Sequence, residues 1–299
     1  MTTAVQPLPS PRLSLRQRLA DYLELTKPEV SSLVLVATLV GYYAGSRGAL
    51  DWLLLLHTLI GTGLVAGGTG AFNQLLERGD DARMRRTAQR PLPAGRLTPM
   101  AALCFAAVLS AGGVLYLALL VNGLSAWLAF ATWASYLFFY TPLKKKTTWC
   151  TLVGAFPGAM PPLIGWAAAR NALEPQAWVL YAILFLWQFP HFLSIAWLYR
   201  EDYARGGIRM LPVVDPEGTA TGRQIVGYAL ALLPVALAPA WLQMAGAVYF
   251  VGALLLGLAF LEFARRAAAS RTKLDARRLL HASVAYLPLL FGLLMLDKR

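Results

Sequence analysis

The chain has 299 residues, of which 58% are hydrophobic and only 14% are charged, and its mean hydropathy is +0.54. A soluble domain carries about 25% charged residues, so this composition excludes an ordinary soluble protein. The formal net charge of +12 does not indicate nucleic-acid binding, because the basic residues are divided among several short loops between apolar segments.

The N-terminal segment is polar and contains prolines, and it lacks the apolar stretch and cleavage site of a secretory signal. We predict a disordered cytoplasmic tail over residues 1–20 and a single domain over residues 21–299. Because the tail also lacks the Arg- and Ser-rich pattern of an organelle presequence, we expect a bacterial protein.

Nine apolar segments follow, each close to the roughly 20 residues that a helix needs to cross a bilayer. They cover about residues 29–46, 52–76, 99–119, 122–141, 148–168, 176–198, 224–243, 245–264 and 279–296. The sequence therefore predicts an all-α membrane protein with nine transmembrane helices.

The distribution of Lys and Arg predicts the orientation of these helices. With the N-terminus in the cytoplasm, 23 of the 27 basic residues lie on the inner side, and only Arg47, Arg170, Lys298 and Arg299 lie outside. Such a bias is typical of inner-membrane proteins, so we expect a cytoplasmic N-terminus and an external C-terminus in a cell inner membrane.

Acidic residues gather at the inner end of the second span. Asn73, Glu77 and Asp81 recur every four residues, and Asp80 follows Glu77 by three, so a helix would place all four on one face. Carboxylates near hydrocarbon are costly and indicate function, and their oxygens suit a divalent cation such as Mg²⁺. A solvated helix end with local Glu–Arg pairs is the alternative interpretation.

Basic residues come directly after this cluster. Arg86 and Arg90 lie four residues apart before Pro91, and Lys144 ends the fourth span on the same side of the membrane. Guanidinium and ammonium groups beside carboxylates suit a magnesium-bound diphosphate. A loop that only sets membrane orientation would account for the charge but not for the adjacent carboxylates.

The sixth span contains a histidine and ends in a second acidic pair. Glu201 and Asp202 would hold a second cation or complete a shared one, so the candidate metal ligands are Asn73, Glu77, Asp80, Asp81, Glu201 and Asp202. His191 lies roughly 16 Å before Asp202 along a helix, well inside the membrane. It is a candidate iron ligand or proton-transfer group, or else a buried histidine bonded to a neighbouring helix.

Several of these stretches resemble the UbiA superfamily of intramembrane prenyltransferases. The motif Asn-Gln-x-x-Glu-x-x-x-Asp runs into Arg-Thr-x-x-Arg-Pro-Leu, and the nine spans and the second acidic motif also resemble that superfamily. The stretches Leu25–Pro28, Tyr140–Lys144, Trp187–Phe192, Arg200–Tyr203 and Met210–Pro212 are similar to its branch that farnesylates heme.

The resemblance implies a UbiA-type helix bundle, with farnesyl diphosphate and heme b as substrates, Mg²⁺ as cofactor and the active face in the cytoplasm. It also implies contact with heme A synthase or with terminal-oxidase assembly. It assigns catalytic roles to Asn73, Glu77, Asp81, Asp202 and His191 and substrate contacts to Arg86, Arg90, Lys144, Lys27, Tyr140 and Tyr203.

The chain departs from the superfamily pattern at two places. Gly79 stands where a carboxylate is usual and Asp80 where an apolar residue is usual, which leaves the separate roles of Asp80 and Asp81 open. Tyr199 and Tyr203 replace the spaced aspartates of the second motif, leaving Glu201 and Asp202.

Three alternative functions are open on the sequence. A prenyltransferase for a quinone precursor would share the metal site but would not need His191. A secondary transporter would place its charges at broken helices near the midplane rather than at one face. A heme-binding membrane protein without catalysis would need His191 but not the acidic cluster.

Overall fold

The structure is a computed structural model that describes residues 14–299. Within that range the chain forms helices and no β-strand, and one isolated backbone bridge joins Ala245 to Lys298. The helices are α1 (Leu15–Leu25), α2 (Pro28–Gly45), α3 (Trp52–Asp81), α4 (Pro99–Leu120), α5 (Gly123–Ser135), α6 (Thr141–Leu143), α7 (Cys150–Gly158), α8 (Pro161–Arg170), α9 (Pro175–Leu198), α10 (Arg200–Arg205), α11 (Leu211–Val214), α12 (Thr219–Trp241), α13 (Ala247–Ser270) and α14 (Lys273–Leu296).

Among the described residues, seven segments are long and apolar enough to cross a membrane, with α7 and α8 counted as one. The other two predicted spans are helical but fall outside that set. The first five residues of α2 include a proline, a glutamate and two serines, which lower the mean hydropathy of that helix. The helix α5 is only 13 residues long before the helix changes type. Nine transmembrane helices thus stay a prediction.

The predicted tail and the structure differ at α1. Residues 15–20, which the sequence assigned to a disordered tail, form the first turns of this helix, and Ser14 caps it. The Ser14 hydroxyl accepts from the Gln17 N–H while the Gln17 side chain accepts from the Ser14 N–H, a reciprocal cap that fixes a helix start. Residues 1–13, including Arg12, lie outside the described range.

The bundle depends on close approach between helices α2 and α8. A Cβ atom on Gly165 would lie 1.9 Å from the backbone oxygen of Thr38, and one on Gly41 would lie 2.0 Å from that of Pro162. Only glycine leaves room for such contacts, which are typical of helices packed in membranes.

A π-helical segment, Tyr136–Tyr140, follows α5 and leads into α6. The Thr141 N–H donates to the Tyr136 oxygen five residues back rather than four. The extra residue in this turn shifts the register of everything after it, and π segments are often found at functional sites.

The predicted outer residues meet at one end of the bundle. The Lys298 ammonium donates to the backbone oxygens of Tyr43 and Ser46, at 2.5 and 2.6 Å. Arg47 and Arg170 both pair with Glu174, at 3.5 and 2.7 Å. The acidic end of α3 lies at the opposite end, because α3 starts nearby at Trp52 and runs for 30 residues, roughly 45 Å.

Candidate active site

The site is built on the last three turns of α3, which remain helical as far as Asp81. Asn73, Glu77, Asp80 and Asp81 are all buried, although each is polar or charged. Burying such groups is unfavourable unless each finds a partner, so their contacts show how the site is organised.

The amide of Asn73 is held from both sides. Its nitrogen donates to the hydroxyl of Thr141 at 3.2 Å, and its oxygen accepts from the ammonium of Lys27 at 2.5 Å. Thr141 in turn donates to the Tyr136 oxygen in the π segment, at 3.0 Å. The π segment thus orients the Asn73 oxygen toward the basic side of the site.

Glu77 pairs with Lys144, whose nitrogen lies 2.7 Å from Oε1 and 4.5 Å from the centre of the Tyr140 ring. Burial lowers the pKa of Lys144, but the charge and hydrogen bond of Glu77, together with Tyr140 and Tyr136, more than offset this and place the pKa well above its usual value. Lys27 shows the reverse balance: burial outweighs the charge of Glu77 and lowers the pKa of Lys27 to about 7. Of the two lysines, Lys144 is therefore the one whose positive charge Glu77 maintains.

The two adjacent aspartates have different surroundings. Asp80 has both oxygens occupied, one by Arg83 at 2.5 Å and one by Lys145 at 2.7 Å. Asp81 is 1% exposed and gives Oδ2 to Arg90 at 2.8 Å, while its Oδ1 has no hydrogen-bond partner within residues 14–299. A buried carboxylate oxygen without a donor is open to a cation.

The second acidic pair is divided between two places. Asp202 pairs with Arg205 and accepts the Arg85 N–H at 3.2 Å, which joins α10 to the loop after α3. Burial raises the pKa of Asp202, but these two donors more than offset it and leave the pKa below its usual value. The side chain of Glu201 is 66% exposed and pairs with Lys273 of α14 at 3.1 Å.

Arg86 lies between the two acidic regions. Its guanidinium is 5.0 Å from the centre of the Tyr199 ring and 5.8 Å from that of Tyr203. One nitrogen lies 3.5 Å from the Tyr203 hydroxyl. These aromatic faces orient the planar guanidinium without neutralising its charge.

Basic side chains outnumber acidic ones around this site. Four buried carboxylates, those of Glu77, Asp80, Asp81 and Asp202, and the amide of Asn73 contact six basic side chains, namely Lys27, Arg83, Arg90, Lys144, Lys145 and Arg205. Arg86 adds a seventh basic group that none of these carboxylates neutralises. The surplus of positive charge suits a polyanionic ligand.

The predicted metal ligands do not form a closed cage. Across residues 14–299 no three His, Cys, Asp or Glu side chains stand close enough to hold a metal ion. Helix α10 turns Glu201 toward Lys273 and Asp202 toward Arg85, and Asp80 is fully paired. Magnesium, however, commonly takes one or two carboxylates and completes its shell with phosphate oxygens and water, which fits the open oxygen of Asp81.

Comparison with known proteins identifies the family of this chain. The UbiA prenyltransferase family matches residues 34–287. A protein from Solibacter usitatus strain Ellin6076, named protoheme IX farnesyltransferase, is 57% identical over 287 residues, which are 93% of this chain and 98% of that one. This chain belongs to the UbiA prenyltransferase family.

Solved structures show the same fold. The structure of a digeranylgeranylglyceryl phosphate synthase has a TM-score of 0.78 at 16% identity and covers 94% of this chain and 98% of its own. A UbiA homolog from Archaeoglobus fulgidus, bound to DMAPP and Mg²⁺, has a TM-score of 0.66 at 16% identity, with 92% and 99% covered. The UbiA-type all-helical bundle predicted from the sequence is therefore confirmed.

His191 lies away from the acidic cluster of this UbiA prenyltransferase, seven residues before the end of α9. Its Nδ1 is 2.8 Å from the hydroxyl of Ser283 on α14, and its ring stacks on Trp187 with centroids 4.7 Å apart. The two groups of predicted site residues thus occupy different depths of the bundle.

Two contacts in this UbiA prenyltransferase could not be predicted from the sequence. Thr141 lies inside the stretch Tyr140–Lys144, but its contact with Asn73 depends on the π segment. That segment leaves no periodic signal in the sequence. Ser283 is 92 positions from His191, and only the packing of α9 against α14 brings them together.

Proposed function

We propose that this protein transfers the farnesyl group of farnesyl diphosphate to a vinyl group of heme b, adding water and releasing diphosphate. The observation that carries the proposal is the 57% identity, over almost the whole of both chains, to a protein named protoheme IX farnesyltransferase. The basic surplus beside buried carboxylates supports a diphosphate substrate.

The diphosphate would bind at the basic side of the site. Lys27, Lys144 and Arg90 contact Asn73, Glu77 and Asp81, respectively, which are candidate metal ligands. The phosphate oxygens of a metal-bound diphosphate would therefore come close to these three basic groups. Arg86 is free of carboxylates and would contact a terminal phosphate as a planar fork. Tyr140 and Tyr203 position Lys144 and Arg86 through their rings.

A magnesium ion would be held by Asp81 through its open Oδ1, with Asn73, Glu77 and Asp202 as the further protein oxygens at this end of the bundle. When bound, it would neutralise charge on the diphosphate leaving group. We assign Asp80 and Glu201 to ion pairs rather than to the metal, because basic side chains take both oxygens of Asp80 and because the exposed Glu201 is turned toward Lys273.

The proposed transfer breaks one C–O bond of farnesyl diphosphate and forms one C–C and one C–O bond on the vinyl group. The C1–O bond of farnesyl diphosphate breaks and its electron pair leaves with the diphosphate, whose charge Lys27, Lys144 and Arg90 stabilise. The π electrons of the heme vinyl group form the new C–C bond, and water adds at the other vinyl carbon and loses a proton. The apolar bundle would keep water from the allylic cation until the C–C bond has formed.

The membrane arrangement belongs to the same proposal. We propose nine transmembrane helices in a bacterial inner membrane, with the N-terminus and the acidic end of α3 in the cytoplasm and the C-terminus outside. The contacts of Arg47 and Arg170 with Glu174, and of Lys298 with the Tyr43 backbone oxygen, lie at the opposite end and support the segregation of charge that this arrangement needs. Heme A synthase or terminal-oxidase assembly proteins are the partners proposed for the product.

The test is a transfer assay in membranes containing the protein, with heme b, farnesyl diphosphate and Mg²⁺, read by product mass. We expect heme plus a hydroxyfarnesyl increment, lost on chelation of Mg²⁺ and reduced at least about 100-fold in Asp81→Asn. Glu262→Gln is the matched control, because Glu262 is paired only with Arg265 and Arg266 of its own helix. Farnesylation of a quinone precursor but not of heme would overturn the acceptor assignment, and no transfer to any acceptor would favour heme binding or transport.

A further inference from the structure

The face of α9 that packs on α14 carries a small polar group inside an otherwise apolar region. His191 and Trp187 lie four residues apart, one helical turn, and both reach Ser283 on α14. The His191 ring is 2.8 Å from the Ser283 hydroxyl, and the Trp187 indole N–H donates to the Ser283 backbone oxygen at 2.9 Å.

The hydrogen bonds of Ser283 fix the tautomer of His191. A hydroxyl has a single proton, and that of Ser283 lies 2.6 Å from the Leu280 backbone oxygen, which accepts only. The proton must therefore point to Leu280, so the Ser283 oxygen accepts from His191. The proton of the neutral imidazole is consequently on Nδ1, and Nε2 carries a lone pair.

The lone pair on Nε2 is left available. Nε2 makes no hydrogen bond within residues 14–299, and His191 is only partly buried. Trp187 stacks on the ring at an interplanar angle of 20° and prevents it from rotating away. The ring is thus preorganised, with Nδ1 held by Ser283 and with Nε2 left without a partner among the described residues.

We propose that Nε2 of His191 binds the iron of the porphyrin substrate and that Ser283 and Trp187 are positioning residues that hold the imidazole in this tautomer. Metal-bound histidines almost always donate the N–H of the other ring nitrogen to an oxygen, as Nδ1 does here. The inference rests on the proposed function, since it takes the acceptor to be heme. It assigns the level of the heme iron along α9, at His191.

The experiment titrates ferric heme into the purified, full-length protein and records absorption and electron paramagnetic resonance spectra. We expect an imidazole-ligated spectrum that His191→Ala loses and that added imidazole restores. Because outer partners of a ligand contribute about 10- to 100-fold to metal affinity, Ser283→Ala should weaken heme binding about tenfold, and Ser283→Thr should retain it. Ser194→Ala is the matched control, since its hydroxyl contacts the His191 backbone oxygen and not the ring.

A second measurement identifies the axial ligand in the wild-type protein. With all three histidines labelled with ¹⁵N, pulsed electron paramagnetic resonance of the wild-type heme complex should show a coupled ¹⁵N nucleus, and His57→Gln and His281→Gln should keep it. An unlabelled axial ligand, or an unchanged spectrum in His191→Ala, would overturn the proposal while the product assay still reports farnesyl transfer. Absence of both heme binding and product would instead reject the proposed function.

Discussion

The ammonium of Lys27 lies 2.5 Å from the amide oxygen of Asn73, although the two residues are 46 positions apart. Lys27 has a φ of +50°, in the left-handed region, and is followed by Pro28, which starts α2. Few residues other than glycine adopt this conformation without strain, and strain of this kind often accompanies functional sites. The turn between α1 and α2 thus places the Lys27 ammonium at the buried end of α3.

From this contact we predict that Lys27→Met weakens binding of the prenyl diphosphate. A hydrogen bond to a charged group contributes about 1.5–3 kcal/mol, so the KM for farnesyl diphosphate should rise about 10- to 100-fold. The measurement is initial rate against farnesyl diphosphate concentration at saturating heme. Lys146→Met, an exposed lysine, serves as the control and should leave the KM unchanged. An equal KM in Lys27→Met and wild type would remove Lys27 from the diphosphate site.

The hydroxyl of Thr141 should matter for turnover rather than for folding. Thr141→Val keeps the shape of the side chain but removes the acceptor for the Asn73 amide, so Asn73 can rotate. We expect kcat to fall about tenfold, as for misplacement of a group that contacts the substrate, while Thr141→Ser keeps most of the activity. Thr132→Val in the same span removes only a hydroxyl bond to Leu128 and should be active. A fully active Thr141→Val would show that Asn73 needs no such support.

Apolar patterning predicted most of the helices, because a membrane span must be about 20 apolar residues long. The sixth predicted span, 176–198, matches α9 at Pro175–Leu198, and the third, 99–119, matches α4 at Pro99–Leu120. The fourth was predicted as one uniform helix, yet it changes type at Tyr136. A π turn changes the backbone hydrogen bonds of a span but not its apolar composition. The composition of that span therefore did not predict the π turn.

The candidate site was predictable as a group but not in its pairings. Four-residue spacing placed Asn73, Glu77 and Asp81 on one face of α3, and their burial in the structure agrees with that placement. Glu201 and Asp202 are adjacent in sequence, and only the turn at Tyr199 between α9 and α10 decides which of them reaches the loop after α3. Such choices depend on tertiary packing, which no local pattern records.

Asp80 and Asp81 should respond differently to the same substitution. Asp81→Asn replaces the open oxygen that we assign to Mg²⁺, so the Mg²⁺ concentration for half-maximal rate should rise by about tenfold or more. Asp80→Asn breaks ion pairs with Arg83 and Lys145, both more than half exposed, so its Mg²⁺ dependence should stay close to wild type. Mg²⁺ titrations of transfer rate measure both. Interchanged results would assign the metal to Asp80 instead.

The contact between α2 and α8 should limit the stability of the bundle. In Gly165→Ala the new Cβ would lie 1.9 Å from the Thr38 backbone oxygen, so the two helices must separate. Overpacking of this kind costs about 1–3 kcal/mol, which thermal unfolding in detergent should detect as a lower midpoint. Gly112→Ala in α4 is the matched control: its Cβ would meet nothing within 4 Å, and alanine favours a helix over glycine by about 1 kcal/mol. Because Lys27 directly precedes α2, separation of the helices should also reduce transfer activity. Equal midpoints in both variants would show that α2 and α8 tolerate a wider spacing.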